Sequence, residues 1–309
     1  MIDAWVVGTL SRALAFGTPL LLATLGEIYS ERSGVLNLGV EGMMIIGAVS
    51  AFATAFITGN PWLGMLVAAV AGGLASLAHA FVSITLRANQ VVSGLALTML
   101  GLGLSGLFGK GFEGEPLTSS IPKVTVPFLE KIPYLGKILF IDKSPFIYFG
   151  LILAPVLWFI LFKTSIGITI RSVGENPAAV DSVGINVWKV RYLCVFFGGL
   201  MAGIAGGYLS IAYRPAWRQG LTGGMGWLVI ALTIFSSWDP KNSLTGAYFF
   251  GILIHLSYRL QPWVSPELLN MIPYMAAILA LAVLSLGPLK RQLGEPSSLT
   301  QPYIRGEKQ

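Results

Sequence analysis

Asn37 and Glu41 are the side chains least suited to their surroundings in this chain. They lie in SGVLNLGVEGMMIIGA, residues 33–48, a stretch that is otherwise apolar and is divided by glycines at 34, 39, 42 and 47. A carboxylate at bilayer depth is strongly unfavourable unless it is paired or faces water, so an ionisable group there is a functional candidate. Four residues apart, the two side chains share a face wherever the segment is helical. Read that way, they line a polar solute's route through a discontinuous helix. The rival reading leaves Glu41 near the membrane interface, where it caps a helix or pairs with Arg32.

A second polar pair, Asn89 and Gln90, opens a short segment containing Ser93, Gly94, Thr98 and Gly101. Its amides suit sugar hydroxyls or base edges, and equally suit a helix N-cap with close packing behind it. Trp227 and Phe235, on an apolar segment of the second half, offer faces to a planar base or serve as packing and interface anchors. His79 and His255 stand alone on apolar helices, with no second ligand at metal spacing. Glu27 is expected to pair with Arg32 or to cap, and Arg12 to snorkel to an interface. No Ser/His/Asp or Cys/His set is visible, so the chain does not read as an enzyme. The lone cysteine, Cys194, rules out a disulfide within the chain.

These groups need a membrane-embedded scaffold. Of 309 residues, 54% are hydrophobic and 11% charged, and the mean hydropathy is +0.74, whereas soluble domains carry about 25% charge. The net charge of +6 is spread over the ends of apolar runs, which argues for membrane-flanking charge and against nucleic acid. With Asp3 and no basic region ahead of the first apolar run, no cleavable signal peptide is expected.

A spanning helix needs about 20 mainly apolar residues. Nine segments qualify, at 4–28, 35–57, 61–86, 91–108, 145–162, 192–213, 224–238, 243–260 and 271–286. The fourth and seventh are short enough to be incomplete or re-entrant, so the expected fold is an all-α polytopic membrane protein of eight to ten crossings. The chain reads as one permease-like domain, 1–309, with a polar loop at 109–144, a second connection at 163–191 and a tail at 288–309. The first loop holds five lysines, four acids and four prolines. The positive-inside rule places 163–191 and the tail in the cytoplasm and 109–144 outside. A faint repeat, Gly42-Met-Met-Ile-Ile followed by Asn60-Pro61 and Gly226-Trp-Leu-Val-Ile followed by Asp239-Pro240, suits inverted units whose interrupted helices mark a substrate route.

Within the second connection, punctuation writes one short helix. Asn176 suits the N-cap, Pro177 the first helical position, and Gly184 the left-handed terminus. So short a helix needs a supporting surface. Ala178, Val180 and Val183 give it an apolar side, and Glu175, Asp181, Arg171, Lys189 and Arg191 a charged rim, a pattern suited to docking in another protein's groove.

GENPAAVDSVGI, residues 174–185, closely resembles the coupling helix of ABC importer permeases of the branched-chain amino acid and simple-sugar group. The resemblance continues through SGVLNLGVEGMMIIGA, ANQVVSGLALTMLG (88–101), TSIGITIRSVGENPAAVDSVGIN (164–186) and GMGWLVIALTIFSSWDP (224–240), and is greatest to the smaller permease of bacterial nucleoside importers. It implies a multi-pass subunit of the bacterial inner membrane with a cytoplasmic C-terminus, forming the pathway with a larger homologous permease. ATPase subunits holding ATP and Mg would dock around Gly174, Glu175, Asn176, Pro177, Ala178, Asp181 and Gly184, and an extracytoplasmic binding lipoprotein would deliver nucleoside. The chain has no GxxxxGK[ST] phosphate loop and is expected to bind no cofactor itself. Ribose-type sugars or other small metabolites are the alternative cargo, and a gradient-driven secondary transporter, with Glu27 and Glu41 as coupling acids, is the alternative class.

Overall fold

The computed structural model describes residues 2–284 and 294–305. The end of the ninth segment (285–286) and tail residues 288–293 and 306–309 lie outside the described residues. Among those described, the regular structure is helical, with no strand beyond an isolated bridge between Val124 and Lys143. The helices are α1 (Ile2–Arg32), α2 (Val40–Thr58), α3 (Pro61–Ala80), α4 (Gln90–Gly109), α5 (Pro145–Lys163), α6 (Ser165–Glu175), α7 (Pro177–Ser182), α8 (Val187–Gly207), α9 (Met225–Phe235), α10 (Pro240–Leu260) and α11 (Pro266–Leu284).

Each of the nine expected segments falls on one helix, and seven helices among the described residues are long and apolar enough to cross a membrane. The fourth segment is not incomplete: α4 runs for 20 residues. The seventh is short, since α9 has 11 residues. α10 is 21 residues long but carries Lys241, Asn242, His255 and Arg259, which lower its apolarity.

Helix starts repeat one device. Asn60, Ser144 and Asp239 each accept a hydrogen bond from the first turn of the following helix, and each is followed by proline at the first helical position. Proline there surrenders only an N–H that has no partner in the helix. Asn60 and Asp239, the matching points of the sequence repeat, share nearly the same extended backbone, φ −113° with ψ 103° and 120° respectively.

Helices α1 and α8 form the middle of the bundle. Leu20, Leu21, Leu22, Leu25 and Ile28 of α1 are wholly buried. The α8 surface against α1, α2 and α3 is built from Gly198, Gly199, Gly203, Gly206 and Gly207, the small-residue face expected from the sequence. A methyl group at Gly206 would strike the Met44 carbonyl, and one at Gly203 the Ala68 carbonyl. With lipid as apolar as any side chain, such backbone approach supplies the van der Waals packing that associates helices in a membrane. The outward faces of α4, α5 and α11 stay apolar and exposed, as at Leu107, Ile152 and Ile278.

Candidate translocation and coupling sites

The chain leaves the helical state between α1 and α2, and this break collects most of the polar side chains singled out above. Gly34 takes φ +89°, and a Cβ there would meet Ser298 and the Arg191 guanidinium, so two constraints demand glycine. The exposed backbone groups of the break must be satisfied internally at this depth. Four side chains from three other helices do so. Arg191 donates to the Ser33 carbonyl at 3.1 Å and Thr98 to the Leu38 carbonyl at 3.0 Å. Gln90 accepts from the Leu36 N–H at 2.7 Å, and His79 Nε2 lies 3.0 Å from the Leu36 carbonyl, with Nδ1 3.0 Å from Ser93 Oγ. Ser30, on α1 itself, closes the Val35 carbonyl.

Asn37 and Glu41 do not share a helix face, because helix begins only at Val40. Asn37 is fully buried in the break, where its Nδ2 donates to Glu27 Oε2 at 3.0 Å and its Oδ1 accepts from the Gly39 N–H. Glu27 therefore partners Asn37 rather than Arg32. Arg32 instead donates to the carbonyls of Ser237, Trp238 and Gly294, while Trp238 Nε1 donates to Glu31.

Glu41, 4% exposed, reaches across to the second half. Its Oε1 accepts from Thr222 Oγ1 at 2.5 Å and from the Gly224 N–H at 3.0 Å, and its Oε2 from the Gly226 N–H at 2.6 Å. These groups form the leading edge of α9, where unpaired N–H groups and the helix dipole favour an anion. A carboxylate on α2 thus caps a helix 181 residues or more along the chain. Capping, one of the two roles open to Glu41 from the sequence, is thus the one its hydrogen bonds perform, at α9 and not beside Arg32.

Asn89 is the exposed N-cap of α4, accepting from the Val92 N–H at 3.1 Å. Gln90 is buried and spent on the break, and Trp227 is half-buried on α9. The structure therefore joins Asn37, Glu41 and Gln90 to one polar framework at the α1–α2 break and the α9 start, and leaves Asn89 apart from it.

The short helix of the second connection is present as α7. Asn176 Oδ1 accepts from the Ala179 N–H at 2.9 Å, Pro177 is the first helical residue, and Gly184 has φ +84°. Its supporting surface is the tail, which no sequence signal indicated. Val173, Val180, Val187 and Tyr303 form a small buried cluster with Ala178 packed against it. Ser298 N–H donates to the Gly174 carbonyl at 2.8 Å, Ser297 Oγ donates to Glu175 at 2.7 Å, and Arg305 pairs with Asp181 at 2.9 Å.

Two expectations about this helix are corrected. Arg191 is not part of a charged rim: it is 1% exposed and spans Ser33, Ser298 and Gln301. Ala178 and Val180 face the supporting cluster, so the open apolar face consists of Ala179 and Val183, the latter 73% exposed. Beside it runs a groove of about 450 Å³ lined by Ile168, Ser172, Glu175, Ala179 and Val183 among others.

Among the described residues, seven helices long and apolar enough to span, packed as one bundle around a polar break, define the scaffold of a multi-pass membrane protein. The chain belongs to the family described as branched-chain amino acid transport system / permease component, whose profile covers residues 9–284. It is similar to the guanosine ABC transporter permease protein of Bacillus subtilis, with 40% identity over 96% of each chain. A relative in Haloferax volcanii, whose name assigns it to glucose ABC transport, is 39% identical over 98% of this chain and 99% of its own. The nucleoside ABC transporter permease protein of Lactococcus lactis is 34% identical over 90% of this chain and 93% of its own. The chain is accordingly a transport component of the ABC permease type and not an enzyme.

Proposed function

We propose that this chain forms half of the translocation pathway of an ATP-driven nucleoside importer, beside a larger homologous permease. The nucleoside assignment is supported by relatives named for guanosine and nucleoside transport that match nearly end to end. A larger partner is supported by a second, more distant guanosine permease protein from Bacillus subtilis, of which the match covers 69%. Nucleosides are neutral and polar, and the charge of Glu41 is spent on Thr222 and the Gly224 and Gly226 N–H groups, leaving no free fixed charge at that position.

The observation that carries the coupling role is the construction of α7: fastened from behind by the tail, it presents Ala179 and Val183 beside an open groove. ATP and Mg belong to the ATPase subunits that grip this face, and α7 and the tail share the cytoplasmic side. Closure of the ATPases pushes α7, and the rigid α1–α8 body rocks to expose the route to each side in turn. An extracytoplasmic lipoprotein delivers the substrate. The test is reconstitution with the neighbouring permease, ATPase and binding protein, followed by measurement of ATP-dependent uptake. Accumulation of nucleosides is expected. Glucose or ribose accumulation instead would reassign the cargo, a reading favoured by the Haloferax relative, and gradient-driven uptake without ATPase would overturn the mechanism.

A further inference from the structure

The end of the bundle opposite α7 contains a cavity that includes none of the residues of the α1–α2 break or of α7. Twenty-one residues of α1 separate Ser11 from Arg32, about 30 Å of helix, and at the Ser11 end a cavity of about 410 Å³ opens between α1, α5, α10 and the helical turns 208–213 that follow α8. Four cations line it, Arg12, Lys123, Lys143 and Arg214, against one carboxylate, Asp142. Arg12 comes from α1, Lys123 and Lys143 from the loop between α4 and α5, and Arg214 from the connection after α8, so no single helix or loop accounts for their convergence.

Two of its groups are buried without the partners their chemistry asks for. Lys143 is 5% exposed, and its ammonium donates to the Ser11 hydroxyl and, at 3.5 Å, to the Ser11 carbonyl. No carboxylate lies within ion-pair distance of it among the described residues. Burial holds this ammonium below the usual lysine range, with Asp142 acting in the opposite direction. An ammonium removed from water and left without a counter-charge is unfavourable, and an anion alongside would relieve that. His255 is 3% exposed, and its Nε2 has no hydrogen-bond partner. The remaining wall is aromatic: Phe16 lies 5.4 Å from Tyr258 and 4.9 Å from Tyr213, and Arg214 sits 5.5 Å over the Tyr213 ring.

We propose that this cavity binds the phosphate group of an organic phosphate ester, carried either by an anionic phosphoglyceride headgroup or by a soluble phosphomonoester. Donors arriving from several directions match a tetrahedral phosphate, with two free oxygens in a diester headgroup and three in a monoester, better than a planar carboxylate, which is met by donors in one plane. A volume of about 410 Å³ exceeds a bare ion and falls in the range of small-ligand sites. Bound there, the phosphate joins the far ends of α1 and α10 to the loop that enters α5. The inference stands on the cavity and is independent of the transported cargo.

The test uses the assembled transporter purified in neutral detergent. Glycerol 3-phosphate is titrated calorimetrically against glycerol at constant ionic strength. In parallel, phosphatidylglycerol or phosphatidylcholine nanodiscs are followed by native mass spectrometry for retained lipid. Saturable binding of glycerol 3-phosphate identifies a soluble ester, and selective retention of phosphatidylglycerol identifies a headgroup. In either case Lys143→Met should weaken binding by about tenfold or more, the scale of one charge-assisted hydrogen bond. Arg214→Gln, at an exposed position where folding is not at stake, should weaken it severalfold. Absence of both signals in the unaltered protein, or undiminished binding by both variants, would refute the assignment. Tighter binding of a glutamate-rich peptide than of either phosphate probe would also overturn it, in favour of a protein carboxylate.

Discussion

Replacing Glu41 by glutamine tests whether the carboxylate is the fastening between the two halves of the chain. Three donors converge on it, two on Oε1 and one on Oε2. A glutamine oxygen placed at Oε1 keeps Thr222 and Gly224, and the amide nitrogen then faces the Gly226 N–H donor to donor. Losing one hydrogen bond to a charged acceptor is worth about 1.5–3 kcal/mol, and losing an anion at a helix N-terminus about 0.3–1 kcal/mol more. The start of α9 should therefore be looser by about 2–4 kcal/mol, the sum of those two effects. At about 1.4 kcal/mol per tenfold, amide exchange at Gly224 and Gly226 should accelerate about 30-fold or more. Hydrogen exchange on the reconstituted protein reads this directly, with the α3 and α8 amides as an internal reference that should not move. ATP-dependent uptake should fall while the subunits still assemble. Exchange within about threefold of the unaltered protein, as expected for a region already opening freely, would show that Glu41 does not hold α9 and would refute the reasoning.

Gly226→Ala attacks the same joint sterically, since its Cβ would stand 2.5 Å from the Glu41 Cα; a loss of about 1–3 kcal/mol should appear as a lower Tm. His79→Leu removes the partner of the Leu36 carbonyl and should lower stability by about 1–3 kcal/mol, again read as a Tm shift. Ala179→Glu, on the open side of α7, should abolish co-purification of the ATPase while leaving the thermal unfolding of the permease unchanged; retained ATPase would contradict the docking face. Arg191→Met leaves the Ser33 and Gln301 carbonyls unpaired, at a loss of about 2–4 kcal/mol, and limited proteolysis should cut residues 294–305 much faster.

What the sequence disclosed follows from the range of the interactions involved. Asn176, Pro177 and Gly184 act within four residues of themselves, so α7 and its punctuation were legible. The glycines of 33–48 placed a break in the right stretch. Its detail was not legible, because the groups that satisfy it, His79, Gln90, Thr98 and Arg191, lie 43 to 158 residues away. Arg191 resembles rim charge in the sequence for the same reason. An arginine at a helix start looks solvent-facing until the tail that covers it is placed. Ala178 and Ala179 are indistinguishable by composition, and only the Val173–Tyr303 cluster decides which of them turns inward. Counting apolar residues makes the fourth segment short, whereas α4 runs from Gln90 to Gly109, with Gly94 and Gly101 packed on the break and on α2 and Gly109 against Trp217.

The strap over α7 also orders events during biosynthesis. Ser298 fastens Val173, Gly174 and Arg191, which were translated more than a hundred residues earlier. Until the ribosome has passed residue 305, the arginine beneath Gly34 has no lid and the two-turn helix has no floor. Nascent chains therefore carry α7 without its support throughout elongation, and on the proposed coupling role a motor subunit would meet a finished face only on a chain whose synthesis has run at least that far.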